Sequence, residues 1–324
     1  MAEVLYQIQN LKKYYVAKKN FMGKTVSTVK GCDDVSFELF RGETLGVVGE
    51  SGCGKSTLGR TLIKLQEPTA GRLVFDGEDI TNFGTAQMRH VRRKMQMVFQ
   101  DPFASLNPHY SILSFVREPL DVFKIGDPAD RDRMAREMLE YVGIPASYVH
   151  RYPHELSGGQ RQRVVIARAI IVNPDLVVCD EPVSALDVSV RAQVLNLMRK
   201  IQREKQMTYL FISHDISVIR YLSDRIMVMY LGKVVEMGAK NDVLDHPLHP
   251  YTKVLLSAIP VPDVHAKRSR IILEGDVPSP VDPPAGCRFC TRCPYAEEAC
   301  RSQPQTLADA GNGHLVACRR YSEV

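Results

Sequence analysis

Short β-branched runs alternate with turn signals over the first 80 residues. Positions 35–39, 44–48 and 72–75 are apolar at strand spacing, and Asp76-Gly77 closes the last of them as a hairpin. A glycine-rich turn separates the strand ending at Val48 from the helical stretch 58–65, so strand, loop and helix follow in the order of a phosphate-binding βα unit. From 102 to 155 the period changes: Met134, Met138, Leu139 and Val142 are spaced for one helical face among charges, which predicts a helical insert. Strand-like runs return at 176–179, 209–212 and 226–229, separated by helical stretches at 160–172 and 190–204. That alternation predicts an α/β fold with a parallel sheet, its pattern ending near residue 245. Residues 260–286 then hold six prolines in 27 positions, which suits an extended connector, and no internal repeat or low-complexity tract is present.

With 324 residues, 44% of them apolar and 24% charged, the chain can bury a sizeable core; the mixture excludes a fibrous or largely disordered chain. Forty-two basic against 37 acidic side chains give +5, too little to mark a nucleic-acid binder but compatible with anionic lipid headgroups or an acidic partner. The longest apolar run is six residues, 226–231, far short of the roughly 18 to 20 needed to cross a bilayer as a helix. The first 20 residues lack a secretory apolar stretch, so the expected compartment is the cytoplasm, where thiols stay reduced. Three of the eight cysteines, Cys32, Cys53 and Cys179, are scattered; the other five crowd into the last 38 residues, which points to metal rather than disulfides.

Three motifs carry chemistry. Gly49-Glu50-Ser51-Gly52-Cys53-Gly54-Lys55-Ser56 fits the phosphate-loop pattern: successive backbone N–H groups wrap a polyphosphate, the lysine neutralises β/γ oxygens and the serine hydroxyl holds Mg²⁺. Thr57 continues the site, and Cys53 reads as a small filler rather than a redox switch. The apolar strand 176–179 delivers Asp180 and Glu181 at its C-terminal end, where parallel sheets bind ligands. Asp180 would hold the metal's water shell, and Glu181 would polarise an attacking water. Leu156-Ser157-Gly158-Gly159-Gln160 precedes a long helical run, so its serine and N–H groups would sit at a helix N-terminus; taken alone it also reads as a cap and turn.

Together with Gln100 after an apolar strand, Ser184-Ala185-Leu186-Asp187 and His214, these motifs stand in the order of an ATP-binding cassette ATPase, which the chain resembles over residues 4–245. The resemblance implies a P-loop core of RecA-like parallel sheet plus an antiparallel β subdomain, with a helical subdomain. It implies a nucleotide-binding domain at 1–245 with the helical subdomain at about 102–160, a Pro-rich connector at 246–286 and a Cys-rich tail at 287–324. Two such domains close head to tail, so Leu156, Ser157, Gly158, Gly159 and Gln160 would act on the partner's ATP. Lys55, Ser56, Gln100, Asp180, Glu181 and His214 would serve the chain's own. By the same resemblance Gln100 senses Mg²⁺ and nucleotide, and His214 contacts the γ-phosphate. The resemblance also puts Asp187 on the segment crossing the dimer seam and implies an N-terminal aromatic that stacks on adenine, a place Tyr15 fits better than Tyr14.

The stretches 99–108 and 246–252, the second reading His-Pro-Leu-His-Pro-Tyr-Thr, are similar to the ATP-binding subunits of dipeptide and oligopeptide importers. Among these the chain is most like the second of a permease's two ATPase subunits. The implied partners are a sibling ATPase in a heterodimer, two transmembrane permease subunits and, indirectly, an extracytoplasmic peptide-binding protein, on the cytoplasmic face of the membrane and with no nucleic acid. The 99–108 stretch is the expected docking surface for a membrane subunit, and the His-Pro repeat reads as a packing turn more readily than as a metal site. The tail fits the same family, with Cys287, Cys293, Cys300 and Cys318 as implied ligands and Cys290 as a spare or alternative. Uneven cysteine spacing suits an iron–sulfur cluster such as 4Fe-4S better than a zinc ribbon; zinc and plain structural thiols stay open. A relative with another cargo (nickel, glutathione or a sugar) would carry the same motor. A cassette ATPase acting on DNA or ribosomes is disfavoured by the single cassette, the short insert and a tail with eight basic and eight acidic residues from 262 onward.

Overall fold

The computed structural model describes residues 3–19, 25–258, 271, 273, 275, 278–281 and 283–323. Pro260 and Pro262 of the expected connector lie outside them. In chain order the elements begin with β1 (Val4–Lys19), β2 (Thr25–Phe40), β3 (Thr44–Val48), α1 (Lys55–Leu62), β4 (Ala70–Phe75) and β5 (Glu78–Asp79). There follow α2 (Thr85–Lys94), β6 (Met95–Val98), α3 (Pro102–Ser105), α4 (Ile112–Phe123), α5 (Pro128–Tyr141), α6 (Gly158–Ile170), β7 (Leu176–Asp180), α7 (Val188–Lys205) and β8 (Thr208–Ile212). The last are α8 (Ile216–Leu222), β9 (Arg225–Tyr230), β10 (Lys233–Ala239), α9 (Lys240–Asp245), α10 (Pro250–Ser257), α11 (Glu298–Ser302), β11 (Ala308–Asp309) and β12 (Leu315–Val316).

Two compact units divide these elements. One holds Phe40–Glu43 and Asn82–Ile212; the other holds Val4–Leu39, Thr44–Thr81 and the described residues from Ser213 onward. In the first, β6, β7 and β8 pair in parallel, with Val98 opposite Cys179 and Asp180 opposite Ile212. Every residue of β7 and β8 is buried, as parallel strands covered on both faces must be. The expected helical insert is present as α3, α4 and α5, with α4 packed on α5 and α6. Its helices start where side chains can cap them: Ser111 accepts from the Ser114 N–H, and Asp127 accepts from the Asp130 N–H ahead of a proline at the first helical position.

The second unit contains a four-stranded sheet in the order β2-β1-β4-β5, in which β1–β4 and β4–β5 are antiparallel. It also contains β3 parallel to β9, with Val48 opposite Val228, and β9 turning back antiparallel into β10. That hairpin turns through Leu231 and Gly232, both at positive φ (43° and 79°), the geometry that matches the twist of the flanking strands. The cysteine-rich tail adds to the same sheet, β12 lying antiparallel to β10 with Glu236 opposite Val316.

Buried polar groups fix how the chain after β10 packs. The fully buried Glu236 carboxylate accepts from the N–H groups of Leu248 (2.8 Å) and His249 (2.9 Å) and lies 2.7 Å from His314 Nε2. His249 Nδ1 in turn accepts from the Tyr251 N–H, capping α10, and burial pushes this imidazole down to about 3, so it stays neutral. The His-Pro repeat thus packs a turn, as expected.

A second buried cluster joins the tail to β2. The Arg288 guanidinium, 4% exposed, pairs with Asp33, which also accepts from the Tyr14 hydroxyl; a further Arg288 nitrogen donates to the Leu231 carbonyl. Burial alone would raise the Asp33 carboxyl, but the Tyr14 hydrogen bond and the Arg288 charge outweigh it and hold it below the usual carboxylate range. Replacing Arg288 by Met strands that carboxylate and is expected to cost about 3–5 kcal/mol in urea unfolding. The folded state binds the Asp33 proton less tightly than the unfolded chain, so the pair's contribution is complete above about pH 4 and fades as pH falls further. A wild-type and variant difference that persisted unchanged to pH 2 would contradict this.

Candidate nucleotide site

The phosphate loop joins β3 to α1 in the second unit, and its shape is set by backbone contact. A Cβ on Gly54 would lie 2.0 Å from the Gly31 carbonyl oxygen, and one on Gly49 would lie 2.2 Å from that of Met229. Gly54 sits at φ 106° and caps α1 without a side chain, leaving the helix's first N–H groups to the loop. Lys55 is only 5% exposed, and its Nζ donates to the carbonyls of Gly49 (2.7 Å) and Glu50 (3.0 Å). Cys53 is buried, its thiol pushed up by burial despite the Lys55 charge, which agrees with a filler. Its carbonyl accepts from the Gly232 N–H (2.7 Å). Gly52 has open space where a Cβ would stand, and Ser51 is exposed.

Next along α1, Ser56 and Thr57 are half-buried, and Thr57 Oγ1 lies 3.4 Å from the Tyr15 hydroxyl. Tyr15 is therefore brought to the loop's helix, with Lys13 Nζ 5.1 Å from its ring centroid, whereas Tyr14 is taken up by Asp33. His214 is exposed, in the turn between Ser213, whose N–H donates to the Val47 carbonyl, and Asp215, which caps α8.

In the first unit, Gln100 follows β6 and Asp180 ends β7. Asp180 is fully buried, and Gln100 Nε2 donates to Glu181 Oε2 at 3.0 Å, so the expected lid residue and the expected water-polarising carboxylate already touch. Glu181 adopts φ +46°, unusual for a residue with a Cβ, and its backbone is pinned: its N–H donates to the Ile212 carbonyl and its own carbonyl accepts from Ser184 Oγ at 3.0 Å. Ser157 caps α6 in a reciprocal pair with Gln160, while Leu156 and Gly159 are buried; Ser157 and Gly158 face solvent. Leu186 is buried and Ser184 half-buried, whereas Ala185 and Asp187 are exposed just before Val188, itself 80% exposed.

All five tail cysteines, Cys287, Cys290, Cys293, Cys300 and Cys318, line one cavity of about 20 Å³ with His249, Phe289 and Tyr295. Burial raises the thiols of Cys287 (to about 12), Cys290, Cys293 and Cys318. Soft sulfur donors suit an iron–sulfur cluster, but among the described residues no group of three or more His, Cys, Asp or Glu is placed to hold a metal ion. Sequence reasoning missed Tyr251 and Arg292. The Tyr251 hydroxyl accepts from the Glu50 N–H (2.8 Å), and Arg292 donates to the Glu50 carboxylate (3.0 Å) across 242 residues of sequence. No periodicity reports a contact at that separation.

The ABC transporter family model matches residues 32–184, and the model for the oligopeptide/dipeptide transporter C-terminal region matches 235–300. An oligopeptide transport ATP-binding protein, AppF of Bacillus subtilis, is 51% identical over 99% of this chain and 98% of its own. The chain belongs to the ABC transporter ATP-binding family. A dipeptide transport ATP-binding protein, DppF of Haemophilus influenzae, is 50% identical over 95% of this chain and 94% of its own. Among solved structures, a dimeric post-hydrolysis state of the ATP-binding cassette MJ0796 bound to ADP and Pi is similar at 28% identity and TM-score 0.65. It covers 73% of this chain and 99% of that one.

The chain is thus an ABC ATPase, with the expected α/β cassette fold. Gly54→Ala forces a methyl group into the Gly31 carbonyl at a backbone angle only glycine favours. The expected result is a loss of about 2 kcal/mol or more in denaturant unfolding together with failure to retain ATP. A variant with the wild-type midpoint and wild-type ATP retention would contradict the packing argument.

Proposed function

We propose that the chain is the ATP-hydrolysing motor subunit of an importer for dipeptides and oligopeptides, coupling ATP binding and hydrolysis to uptake. The observation that carries the cargo class is the likeness to oligopeptide and dipeptide transport ATP-binding proteins along nearly the whole chain, joined to the match of residues 235–300. Among the described residues no helix is long and apolar enough to cross a membrane, which suits a peripheral subunit on the cytoplasmic face. In this reading the chain pairs with a sibling ATPase on two transmembrane permease subunits, fed by an extracytoplasmic peptide-binding protein. The cassette and tail divide as 1–245 and 287–324, with 246–286 between.

The roles follow from chemistry. Gly49, Ser51, Gly52, Cys53, Gly54, Lys55, Ser56 and Thr57 bind the phosphates through N–H groups and one ammonium, and Tyr15 stacks on adenine. Ser56, Gln100 and Asp180 offer the hard oxygen ligands that magnesium takes, and the ion, when bound, neutralises phosphate charge. Glu181 polarises the attacking water, and His214 orders the attack at the γ-phosphate. Leu156, Ser157, Gly158, Gly159 and Gln160 address the second ATPase's nucleotide, with Ser184, Ala185, Leu186 and Asp187 on the seam. Phe103, 62% exposed on α3 just past Gln100, offers a membrane subunit an apolar contact. The Gln100–Glu181 hydrogen bond gives docking there a route to the hydrolytic carboxylate.

Glu181→Gln should keep ATP binding and lower steady-state hydrolysis by about 10² or more; near-normal turnover would remove Glu181 from that role. For the tail we propose that Cys287, Cys293, Cys300 and Cys318, with Cys290 in reserve, take up an iron–sulfur cluster. The convergence of all five cysteines on one cavity is what supports this, the thiols not being placed there as a ready ligand set, and zinc is the alternative metal. Anaerobically purified protein should then contain iron and acid-labile sulfide. Zinc without sulfide would select the alternative, and neither would leave the thiols structural.

A further inference from the structure

The phosphate loop's second residue, Glu50, is held at three points. Its N–H donates to the Tyr251 hydroxyl (2.8 Å), its carbonyl accepts from Lys55 Nζ (3.0 Å), and its carboxylate accepts from Arg292 Nη1 (3.0 Å). Tyr251 is fully buried among Tyr230 and Phe289, with ring centroids 4.6 and 5.4 Å away, and the Arg292 side chain is only 10% exposed. Neither partner belongs to the cassette motifs: both come from the chain after residue 245. We propose that Tyr251 and Arg292 are positioning residues for nucleotide binding, through which the C-terminal extension sets the conformation of the phosphate loop.

Lys55 Nζ rests on the carbonyls of Gly49 and Glu50, so wherever the extension places the Glu50 peptide, it places the ammonium that must meet the phosphates. A hydroxyl acceptor and a guanidinium on opposite ends of one residue leave that peptide little freedom to rotate, so the loop is arranged before ligand arrives. Arg288 and Arg292 also alternate with Cys287, Cys290 and Cys293 along one stretch, with the Cys290 and Arg292 N–H groups donating to Cys287 and Phe289. Whatever holds the thiol cavity therefore holds the guanidinium on Glu50.

The proposal rests on the loop binding ATP, and equilibrium ATP binding by the full chain tests both. Arg292→Gln and Tyr251→Phe are each expected to weaken ATP binding about three- to thirtyfold. In the assembled ATPase the change should fall on the KM for ATP rather than on kcat. Arg292→Lys, which keeps the charge, should recover most of the affinity, a rescue that a purely structural role would not single out. Combining Arg292→Gln with Glu50→Gln should add nothing to the single losses, because both remove one interaction. Wild-type affinity in both Arg292→Gln and Tyr251→Phe would overturn the proposal, as would fully additive losses in the double variant. A folded wild-type chain that fails to retain ATP at all would overturn the nucleotide reading beneath it.

Discussion

The constraint on which the site depends is contact between backbones. At Gly49 and Gly54 the phosphate loop lies so close to the carbonyls of Met229 and Gly31 that no Cβ fits, and Gly232 donates to the Cys53 carbonyl from the same side. A loop supported on its back by other main chain needs no ligand to find its shape; of its N–H groups, that of Glu50 is taken by the Tyr251 hydroxyl and that of Cys53 by the Glu50 carbonyl. The buried lysine fits this logic. Two carbonyls of the loop accept from its ammonium, so its donors are met without a carboxylate that would compete with the nucleotide.

Strain sits next to this machinery and is restrained where it occurs. Glu181 occupies the left-handed region at φ +46°, which costs energy for a residue with a Cβ, and is fixed there by Ile212 and Ser184. Leu231 does the same at φ +43° in the β9–β10 turn, where the buried Arg288 takes its carbonyl. Both residues end a strand abruptly and send the next group in a new direction. At Glu181 that group is a carboxylate already hydrogen-bonded to Gln100; at Leu231 it is the glycine whose N–H meets the phosphate loop.

Much of this was legible in the residue pattern because it is local. The turn between β3 and α1 announces itself by glycine spacing, and β7 and β8 by unbroken apolar runs that end in polar residues. Helices α6 and α7 start within two residues of their expected positions because a capping Ser157 and an exposed Asp187 mark them. The sixteen-residue β1 was not delimited: its lysines, tyrosines and glutamines blur the alternation of the strand. The two-residue strands of the tail carry no periodicity at all, and β12 forms between β11 and the edge that β10 offers. Tyr251 and Arg292 were invisible for the same reason: nothing near them in sequence refers to Glu50.

The tail illustrates how a segment with little core of its own becomes integral to a larger one. Phe289 and Val316 are its only large apolar side chains with 1% exposure or less among the described residues, too few to fold alone. It is held instead by polar anchors reaching into the cassette: Arg288 on Asp33 and Leu231, Arg292 on Glu50, and His314 on Glu236. Buried ionic anchors are poor at adding net stability but strict about geometry, since a misplaced partner leaves a charge stranded. A tail attached in that way fixes the register of what it touches, and two of the three anchors fall within one contact of the phosphate loop: Glu50 belongs to it, and the Leu231 turn bonds it through Gly232. The extension is thereby tied to the geometry of the nucleotide loop.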